Sequence, residues 1–375
     1  MTTKHIHIIV FDIPYPATYG GAIDVFYRIK SLAQLGIAIT LHCFYKDELH
    51  HYEQLESLCR KVYYYPRHTT WKQMLHMRPY AVVSRRDQSL LKHLLQDNDP
   101  ILFEGLVSCD LLSHPLLANR KKYLRECNIE HDYYYALSKA ARSCNSKLYF
   151  LVDAIRLRFF ERNVRYASAV FAIAHQDEQH FRSHYPNLPV IYLPAAHPDS
   201  EVVVPSGIGS YILYHGNLDV AENYDAARII ASDIATQLPD TQFIIAGRYH
   251  NHVLDDIIGK QANVQWIPNP DSNQMKQLIV DAQIHLLITR QATGLKLKLL
   301  NVLYNGRHVV VNSAMVTGTE LASVCHIADD KRELADLCRQ LSATPVTAQQ
   351  IAQRKQLLAQ YYDNKQLGLT LLNNL

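Results

Sequence analysis

Short apolar runs alternate with amphipathic segments along almost the whole chain, and this alternation constrains the fold more than any other feature. Apolar runs such as residues 6–11 and 37–44 predict buried strands, and the segment 22–35 between them predicts a helix. Strands joined through helices run parallel, and a parallel sheet is covered by helices on both faces. The sequence therefore predicts an α/β protein with doubly wound, Rossmann-like sheets.

A cluster of prolines and glycines interrupts this alternation within residues 186–209 and is a good linker candidate. Because the chain has 375 residues, more than a single small core accommodates, we expect two domains. The first is predicted to span residues 1–190 and the second residues 205–349, with glycine-bearing loops facing a shared cleft. The C-terminal helical segment, residues 350–375, has no strand to pair with and is expected to complete the first domain.

Residues 293–312 predict a helix followed by a buried strand. We expect Thr293 to cap the helix, Gly294 to let a ligand approach the backbone, and Gly306 to end the helix. Lys298 would add a full positive charge to the free N–H donors of the helix N-terminus, an arrangement that suits phosphate. An ordinary amphipathic helix with solvated lysines explains the same spacing.

Glycines and polar residues follow several predicted strands, at the end where open parallel sheets bind ligands. Gly20 and Gly21 follow the first strand, and Glu104 follows the strand predicted at 101–103. The other candidates in such loops or in the helix after them are Glu130, His131, Gly216, Asn217, Arg248, Lys296 and Asn301. The loop after the first strand is not GxGxxG, so a dinucleotide fingerprint is absent. Each candidate also has an ordinary structural explanation as a turn, a helix-surface side chain or an internal pair.

The composition excludes several classes of protein. The seven cysteines are scattered, odd in number and without CxxC spacing, which indicates neither a disulfide framework nor a zinc site. The 20 histidines are dispersed, and we expect no metal and no other cofactor. No apolar run reaches the roughly 20 residues that span a bilayer, and the start of the sequence leads into a strand without a signal-peptide pattern. We therefore expect a cytoplasmic protein.

The first half of the chain is mildly basic. Residues 1–185 carry 24 lysines and arginines against 18 acidic residues, and the remainder carries 14 against 17. This imbalance favours peripheral contact with the inner face of an anionic membrane, or an anionic acceptor, although an ordinary solvated surface explains it equally well. Basic and aromatic residues are not interleaved as in nucleic-acid-binding surfaces, so we expect no nucleic acid.

Five segments together resemble glycosyltransferase family 4. The segments YILYHGNLDVAENYDAA, FIIAGR and ATGLKLKLLNVLYNGRHVVVN resemble the second domain of that family. PYPATYGGAIDVFYRIKSLAQLG resembles the start of its first domain, and RECNIEHDYY is similar to the loop after a middle strand. The resemblance covers most of the chain and is nearest to bacterial members found with polysaccharide genes. It implies the glycosyltransferase B fold, a nucleotide-sugar donor and retention at the anomeric carbon.

The resemblance implies that the second domain binds the donor and the first domain the acceptor. The residues implied for the donor and its diphosphate are Gly20, Gly21, Gly216, Asn217, Arg248, Thr293, Gly294, Lys296, Lys298 and Asn301. The catalytic candidates are Glu130, His131 and Glu104. Breaking the sugar–phosphate bond places negative charge on the leaving diphosphate, which fixed cations and helix N–H groups stabilise without a metal.

The match departs from the family at five positions. The family has two glutamates eight residues apart, where this chain has Thr293 and Asn301. The diphosphate-binding cations of the family correspond to Asn217 and Glu222 here, and a histidine of its first domain corresponds to Cys127. An asparagine still hydrogen-bonds a ribose hydroxyl, but a threonine supplies no carboxylate to the sugar. The remaining cations of the second domain would have to hold the diphosphate.

Three functions fit the sequence. The leading hypothesis is a retaining glycosyltransferase that moves a hexose from a nucleotide sugar to a surface-polysaccharide or lipid-linked saccharide acceptor. The second is a degenerate, non-catalytic partner within a polysaccharide-assembly complex, which the departures at Thr293, Asn217, Glu222 and Cys127 would explain. The third is a sugar-nucleotide epimerase, which can share the two-lobed fold, but the sequence shows no additional acid/base set for that reaction.

Overall fold

The chain divides into two compact units, each built on one parallel sheet. The computed structural model describes residues 4–141, 143–249, 261–292 and 295–375. Unit 1 comprises Met1–Pro198 and Tyr362–Leu375, and unit 2 comprises Asp199–Tyr361.

Unit 1 contains a seven-stranded sheet with the order β3-β2-β1-β4-β5-β6-β7, and its neighbouring strands pair in parallel. The strands are β1 His5–Val10, β2 Ala38–Tyr45, β3 Lys61–Pro66, β4 Ile101–Glu104, β5 Lys122–Glu126, β6 Ala169–Ala172 and β7 Val190–Tyr192. The helices are α1 Gly20–Gln34, α2 Glu53–Glu56, α3 Trp71–Met74, α4 Tyr80–Val83, α5 Gln88–Leu94, α6 Glu130–Ala140, α7 Cys144–Phe160 and α8 His175–His184. Short 3-10 helices cover Leu106–Leu111, Pro115–Leu117 and Glu161–Tyr166.

Both faces of the unit 1 sheet are buried, which explains why its strands are almost continuously apolar. Successive side chains of a strand point to opposite faces, and Ile8 and Ile9 of β1 accordingly enter two different apolar clusters. Helices α4, α5 and α7 contribute to the cluster of Ile9, and α1 and α2 contribute to that of Ile8. A fully buried aliphatic side chain stabilises the fold by about 1.5–3 kcal/mol, so both layers hold the sheet in place.

Unit 2 contains a six-stranded sheet with the order β10-β9-β8-β11-β12-β13, and its neighbouring strands also pair in parallel. The strands are β8 Ile212–His215, β9 Phe243–Gly247, β10 Val264–Pro268, β11 Ile284–Leu287, β12 His308–Val311 and β13 His326–Ile327. The helices are α9 Ala221–Ile229, α10 Ser272–Asp281, α11 Leu297–Asn305, α12 Ser313–Val316, α13 Lys331–Leu341 and α14 Ala348–Tyr361. A π-helical turn covers Ile230–Ile234, and 3-10 helices cover Ala235–Gln237 and Glu320–Val324.

The last helix of the chain, α15 Asn364–Asn373, lies in unit 1, whereas α14 lies in unit 2. The sequence predicts one helix over 348–372, but the structure forms two, and Asp363 starts the second. Its carboxylate accepts a hydrogen bond from Gln366 N at 2.8 Å, which is an N-cap. Helix α15 packs on α1, where Ser31 Oγ donates to the carbonyl of Asn364 at 2.6 Å.

Both sheets reverse their direction of growth beside the first strand of the unit. In unit 1 β1 lies between β2 and β4, and in unit 2 β8 lies between β9 and β11. Such a switch point leaves a crevice at the carboxyl ends of the two central strands, where doubly wound sheets bind ligands. The loops after β1, β4, β8 and β11 are therefore the places at which a functional site is expected.

The predicted fold class is confirmed, but several boundaries differ from the sequence prediction. The region 133–167, which the sequence predicts as helical, forms α6 and α7, and the helix predicted from residue 293 begins at Leu297. Strand β7 lies inside the predicted linker, because a three-residue strand directly after Pro189 carries almost no pattern. Within the described residues, no helix combines the length and the apolar character that crossing a bilayer requires.

A methyl group added at Gly306 tests the packing between α11 and β11. A Cβ there would overlap Nε2 of the buried His285 and lie 2.8 Å from the carbonyl of Val302. We expect Gly306→Ala to lower the free energy of unfolding of unit 2 by about 1–3 kcal/mol, because overpacking forces the strand and the helix apart. Urea denaturation followed by circular dichroism measures the change.

Gly207→Ala is the matched control in the same unit. Its φ is 72°, so alanine is strained there by about 1 kcal/mol, but a Cβ meets nothing within 4 Å. A loss for Gly306→Ala no larger than that for the control would contradict the packing argument.

Candidate functional site

The loops after β8 and β9 lie against each other at the carboxyl edge of the unit 2 sheet. Gly216 N donates to the carbonyl of Ala246 at 3.1 Å, and Leu218 N donates to that of Arg248 at 2.8 Å. Gly247 has a φ of 152°, and a Cβ at this residue would overlap the carbonyl of Gly216. Only glycine permits this approach, and the two loops form one backbone surface.

Asn217 shapes the turn after β8. Its Oδ1 accepts a hydrogen bond from Asp219 N at 3.1 Å, which is an Asx-turn. Its carbonyl accepts a hydrogen bond from Asn223 Nδ2 at 2.9 Å. The amide of Asn223 is thereby fixed, and its Oδ1 is available to a cation on α11.

Helix α11 begins later than the sequence predicts. Its N-cap residue is Lys296, whose side chain makes no cap hydrogen bond. Lys298 therefore lies in the first turn and is closer to the helix N-terminus than expected. The predicted cap Thr293 and its neighbour Gly294 lie outside the described residues. The free N–H donors of the first turn and the ammonium of Lys298 therefore lie close together, and this arrangement favours the binding of an anion.

Lys298 is partly buried, and its ammonium forms no ion pair among the described residues. Its Nζ donates to Asn223 Oδ1 at 2.8 Å, lies 3.4 Å from the hydroxyl of Tyr214 and is 5.0 Å from the centre of that ring. Within the described residues, no carboxylate lies at ion-pair distance from it. Burial lowers the pKa of Lys298 to about 8, and Lys296 lowers it further while Glu222 opposes the shift. A bound anion would replace the solvation that this ammonium has lost.

His215, the last residue of β8, lies beneath this surface and escaped the sequence analysis. Burial first, and the charge of Lys298 second, lower its pKa to about 3, so the imidazole stays neutral at ordinary pH. Its Nδ1 has no hydrogen-bond partner among the described residues. The signal that could have found it is the strand-ending dipeptide His215-Gly216.

The other predicted residues of unit 2 differ in their placement. Asn301 lies one turn after Lys298 on α11, and its buried Oδ1 has no hydrogen-bond partner among the described residues. The side chain of Arg248 is 64% exposed, and its Nε lies 3.7 Å from a carboxylate oxygen of Asp219. The structure therefore groups Gly216, Lys298 and Asn301, and leaves the guanidinium of Arg248 on the surface.

In unit 1, helix α1 begins at Gly20 directly after the loop that follows β1. Tyr19 is its N-cap residue, no side chain caps the helix, and its first turn holds no acidic residue. A Cβ at Gly21 would lie 2.9 Å from the ring of Phe11, so this loop is closely packed. The predicted pair Gly20 and Gly21 thus forms an uncapped helix start at the switch point of the sheet.

Arg85 lies near this helix start and was missed by the sequence analysis. It is 8% exposed, its Nε donates to the carbonyl of Phe11 at 2.7 Å and its Nη1 donates to that of Ala81 at 2.6 Å. Asp153 of α7 holds the segment in place by accepting hydrogen bonds from Tyr80 N at 2.8 Å and Ala81 N at 3.2 Å. Among the described residues no carboxylate pairs with Arg85, so its guanidinium carries an uncompensated charge.

Glu130 is the first residue of α6, and its carboxylate is a weak acid in this environment. Burial raises its pKa to about 7, and the charge of Arg85 opposes the shift. The next residue, His131, points elsewhere: its Nδ1 lies 3.1 Å from Glu161, which also contacts His180 at 3.0 Å. Burial would raise the pKa of Glu161, but hydrogen bonds from both histidines outweigh it and lower that pKa to about 2. His131 therefore belongs to an internal ion cluster.

Glu104 is also internal. It is 1% exposed and accepts a hydrogen bond from Arg28 Nε at 2.9 Å, while Arg28 contacts Asp24 at 2.6 Å. Asp24 in turn lies 3.2 Å from Arg125. Two carboxylates and two guanidinium groups thus neutralise each other beneath the carboxyl edge of the sheet. The charge of Glu104 is used to hold α1 against β4.

Cys127 is a poor candidate for a nucleophile. Burial raises the pKa of the Cys127 thiol well above its usual value, so a thiolate is disfavoured there.

In the part of the chain that the structure describes, His7, Asp97 and Asp99 bring possible metal-ligand atoms within 4.8 Å of one another. Arg120 already donates to Asp97 at 2.7 Å, and its charge opposes a cation at that place. The expectation that no metal is needed stays a prediction.

The internal role of Glu104 makes a stability prediction. We expect Glu104→Ala to reduce the free energy of unfolding by about 3–5 kcal/mol, because it leaves the buried Arg28 without one of its two partners. Urea denaturation measures this loss. Glu130→Ala is the matched control, since Glu130 forms no ion pair with any residue that the structure describes, and its loss should stay below about 1 kcal/mol. Equal stability of the two variants would show that Glu104 is not an internal counter-ion.

Comparison with known proteins adds to this geometry. No family model matches the chain. A curated relative, an uncharacterized 44.6 kDa protein in the cps region of Klebsiella pneumoniae, is 25% identical over 343 residues, which are 87% of this chain and 88% of the relative. The structure of TarM is similar with a TM-score of 0.69 and 11% identity, over 100% of this chain and 99% of that chain.

A complex of the pneumococcal O-GlcNAc transferase GtfA with UDP and GlcNAc is similar with a TM-score of 0.64 and 9% identity, over 100% of this chain and 98% of that chain. These similarities extend over both units, each of which has its own Rossmann-like parallel sheet. The chain therefore has the glycosyltransferase B fold.

Proposed function

We propose that this chain is a retaining glycosyltransferase that moves a hexose from a nucleotide sugar to a saccharide acceptor. The observation that carries the proposal is Lys298. Its ammonium is partly desolvated, has no carboxylate at ion-pair distance among the described residues, and lies in the first turn of α11, where the N-cap side chain makes no cap hydrogen bond. A diphosphate at this place would satisfy both the cation and the helix N–H donors.

The donor would lie on unit 2. Its diphosphate would meet Lys298 and the first turn of α11, next to the backbone of Gly216, and the unmatched Oδ1 of Asn301 would accept a hydrogen bond from a ribose hydroxyl. When the sugar–phosphate bond breaks, negative charge grows on the leaving diphosphate. Donors that are already fixed in position stabilise that charge without reorganisation. Lysine and helix N–H groups do this without a metal.

The acceptor would lie on unit 1. The uncapped start of α1, the uncompensated guanidinium of Arg85 and the carboxyl of Glu130 all lie near the carboxyl edge of that sheet. With a pKa of about 7, Glu130 is present in both protonation states at neutral pH and is suited to exchange a proton with an acceptor hydroxyl. Glu104 and His131 hold internal ion pairs and would act through the scaffold.

The similar proteins support the substrate class. GtfA binds UDP and GlcNAc, so the same fold accommodates a nucleoside diphosphate and a sugar. The Klebsiella relative belongs to a cps region, which supports an acceptor in a surface polysaccharide or on a lipid carrier. A non-catalytic partner in polysaccharide assembly is the second candidate, because Asn217 and Glu222 stand where the resembling family has cations.

The donor site is tested by binding. We expect one nucleotide sugar of a panel, and its nucleoside diphosphate, to raise the melting temperature of the purified protein, because a ligand of the native state stabilises it by mass action. Lys298→Ala should weaken this binding by about tenfold or more, since a charge-assisted hydrogen bond is lost.

Lys276→Ala removes an exposed lysine of α10 in the same unit and should bind like the wild type. Equal binding by both variants would refute the site. Selective binding with no transfer to any saccharide acceptor, and no hydrolysis, would favour the non-catalytic partner.

The pH dependence of binding is a second test. Only the protonated ammonium attracts a diphosphate, and a bound anion raises the pKa of Lys298, so the complex holds more protons than the free protein. Affinity should therefore fall as the pH rises through the pKa of about 8, by up to about tenfold per pH unit. Calorimetric titration with the nucleoside diphosphate measures it. Lys298→Arg keeps its charge, and a decline in that variant as steep as in the wild type would contradict the assignment.

A further inference from the structure

Helix α7 of unit 1 is apolar on two opposite sides. Ala154, Leu157 and Phe160 are buried against the unit. Leu148, Leu151, Ile155 and Phe159 form a second stripe at helical spacing, and between 39% and 63% of each of these residues is exposed. The first side is explained by the core. The second has no cover among the described residues and needs a separate explanation.

Helix α3 and the residues after it extend this stripe. Trp71, Leu75 and Met77 are 66%, 72% and 89% exposed, respectively. Met74 lines an apolar hollow of about 290 Å³ together with Leu148 and other residues of α7, so the two helices are neighbours. We call the exposed apolar side chains of α7, of α3 and of the residues directly after α3 the apolar face. Exposed apolar surface of this kind is uncommon on a soluble protein and marks an interaction site.

The exposed charged residues on the elements that carry the apolar face have one sign among the described residues. Residues 67–86 contain no aspartate or glutamate, and the single acidic residue of α7, Asp153, is 1% exposed and caps α4. The exposed charged residues of α3 and α7 and of the 3-10 helix after α7 are basic, and they are Lys72, Lys147, Arg158, Arg162 and Arg165. An anionic partner would complement this rim.

Aromatic rings and guanidinium groups are paired at one end of the face. The guanidinium of Arg162 lies 5.2 Å from the ring centre of Phe159, and that of Arg165 lies 5.0 Å from that of Tyr166. Side chains of this kind place an apolar body in the acyl region of a bilayer and a charged end among the headgroups. Two copies of this face would instead bring like charges together, which disfavours self-association.

We propose that the apolar face and its basic rim dock unit 1 onto the surface of an anionic lipid bilayer. Leu148, Ile155, Phe159 and the residues around Trp71 insert at the headgroup boundary, and the basic residues contact the lipid phosphates. The inference does not depend on the donor site of unit 2. It gives the enzyme a way to reach an acceptor carried on a lipid.

Vesicle sedimentation tests the proposal. The wild-type protein should sediment with vesicles rich in phosphatidylglycerol, and more weakly with vesicles of phosphatidylcholine alone. Leu148→Glu combined with Phe159→Glu should reduce binding about tenfold or more, because charged groups enter the acyl boundary. Leu116→Glu is the matched control: Leu116 is 64% exposed in unit 1 but lies outside the face, in the 3-10 helix Pro115–Leu117. The control should bind like the wild type.

A second variant, measured at several salt concentrations, separates the electrostatic from the apolar contribution to vesicle binding. Arg158→Gln combined with Arg162→Gln should weaken binding to the anionic vesicles and reduce its salt dependence, without changing binding to phosphatidylcholine. Thermal shift with a nucleoside diphosphate shows that each variant is folded, and it separates failure of the donor site from failure of the face. Absence of vesicle binding, equal loss in Leu116→Glu, or a dimer that the Leu148 and Phe159 changes dissociate would overturn the proposal.

Discussion

A parallel sheet has to be covered on both of its faces, and the functional architecture of this protein depends on that constraint. Ile8 and Ile9 of β1 belong to two different apolar clusters, so neither face of the unit 1 sheet is available to a ligand. Polar groups that need access to solvent are confined to the ends of the strands. The switch points beside β1 and β8 then open one crevice in each sheet, and the uncapped helix starts of α1 and α11 follow strands at these crevices.

Some buried charged side chains at these edges form ion pairs, and others have no ion-pair partner among the described residues. Beneath the unit 1 sheet edge, Asp24, Arg28, Glu104 and Arg125 form ion pairs with each other, which costs desolvation but balances their charges. Lys298 and Arg85 lack such partners among the described residues. A cation that is desolvated but not neutralised binds an incoming anion more favourably than a solvated one. We therefore regard ion-paired charges as structural and desolvated charges without an ion-pair partner as candidate binding residues.

Positive charge without a neighbouring carboxylate on the same helix is also found on the outer side of α7 in unit 1. Asp153, the acidic residue of α7, is turned inward to cap α4, and its placement leaves the outer side of α7 with basic charges alone. One carboxylate therefore fixes the segment that holds Arg85 and also sets the sign of the charge around the apolar face. Asp153 thus caps α4, positions the segment that carries Arg85, and adds no negative charge to the outer side of α7.

The alternation of apolar runs and amphipathic segments was sufficient to predict two parallel-sheet units, because hydrophobic periodicity is a local property that reports burial directly. It also placed Gly216 and Lys298 among the candidate site residues, and their role in a site stays a prediction.

Other properties depended on contacts between distant residues. Glu104 and Glu130 look alike as glutamates after strands, but Arg28 neutralises the first, whereas the second has no ion-pair partner in the described part of the chain. The environments of Arg85 and His215 were not predicted, because they depend on Phe11 and on Lys298, which lie far away along the chain. The sequence by itself determined the sheets and the candidate strand ends. The tertiary structure alone decided which charged groups are neutralised, since that depends on what folding places beside each of them.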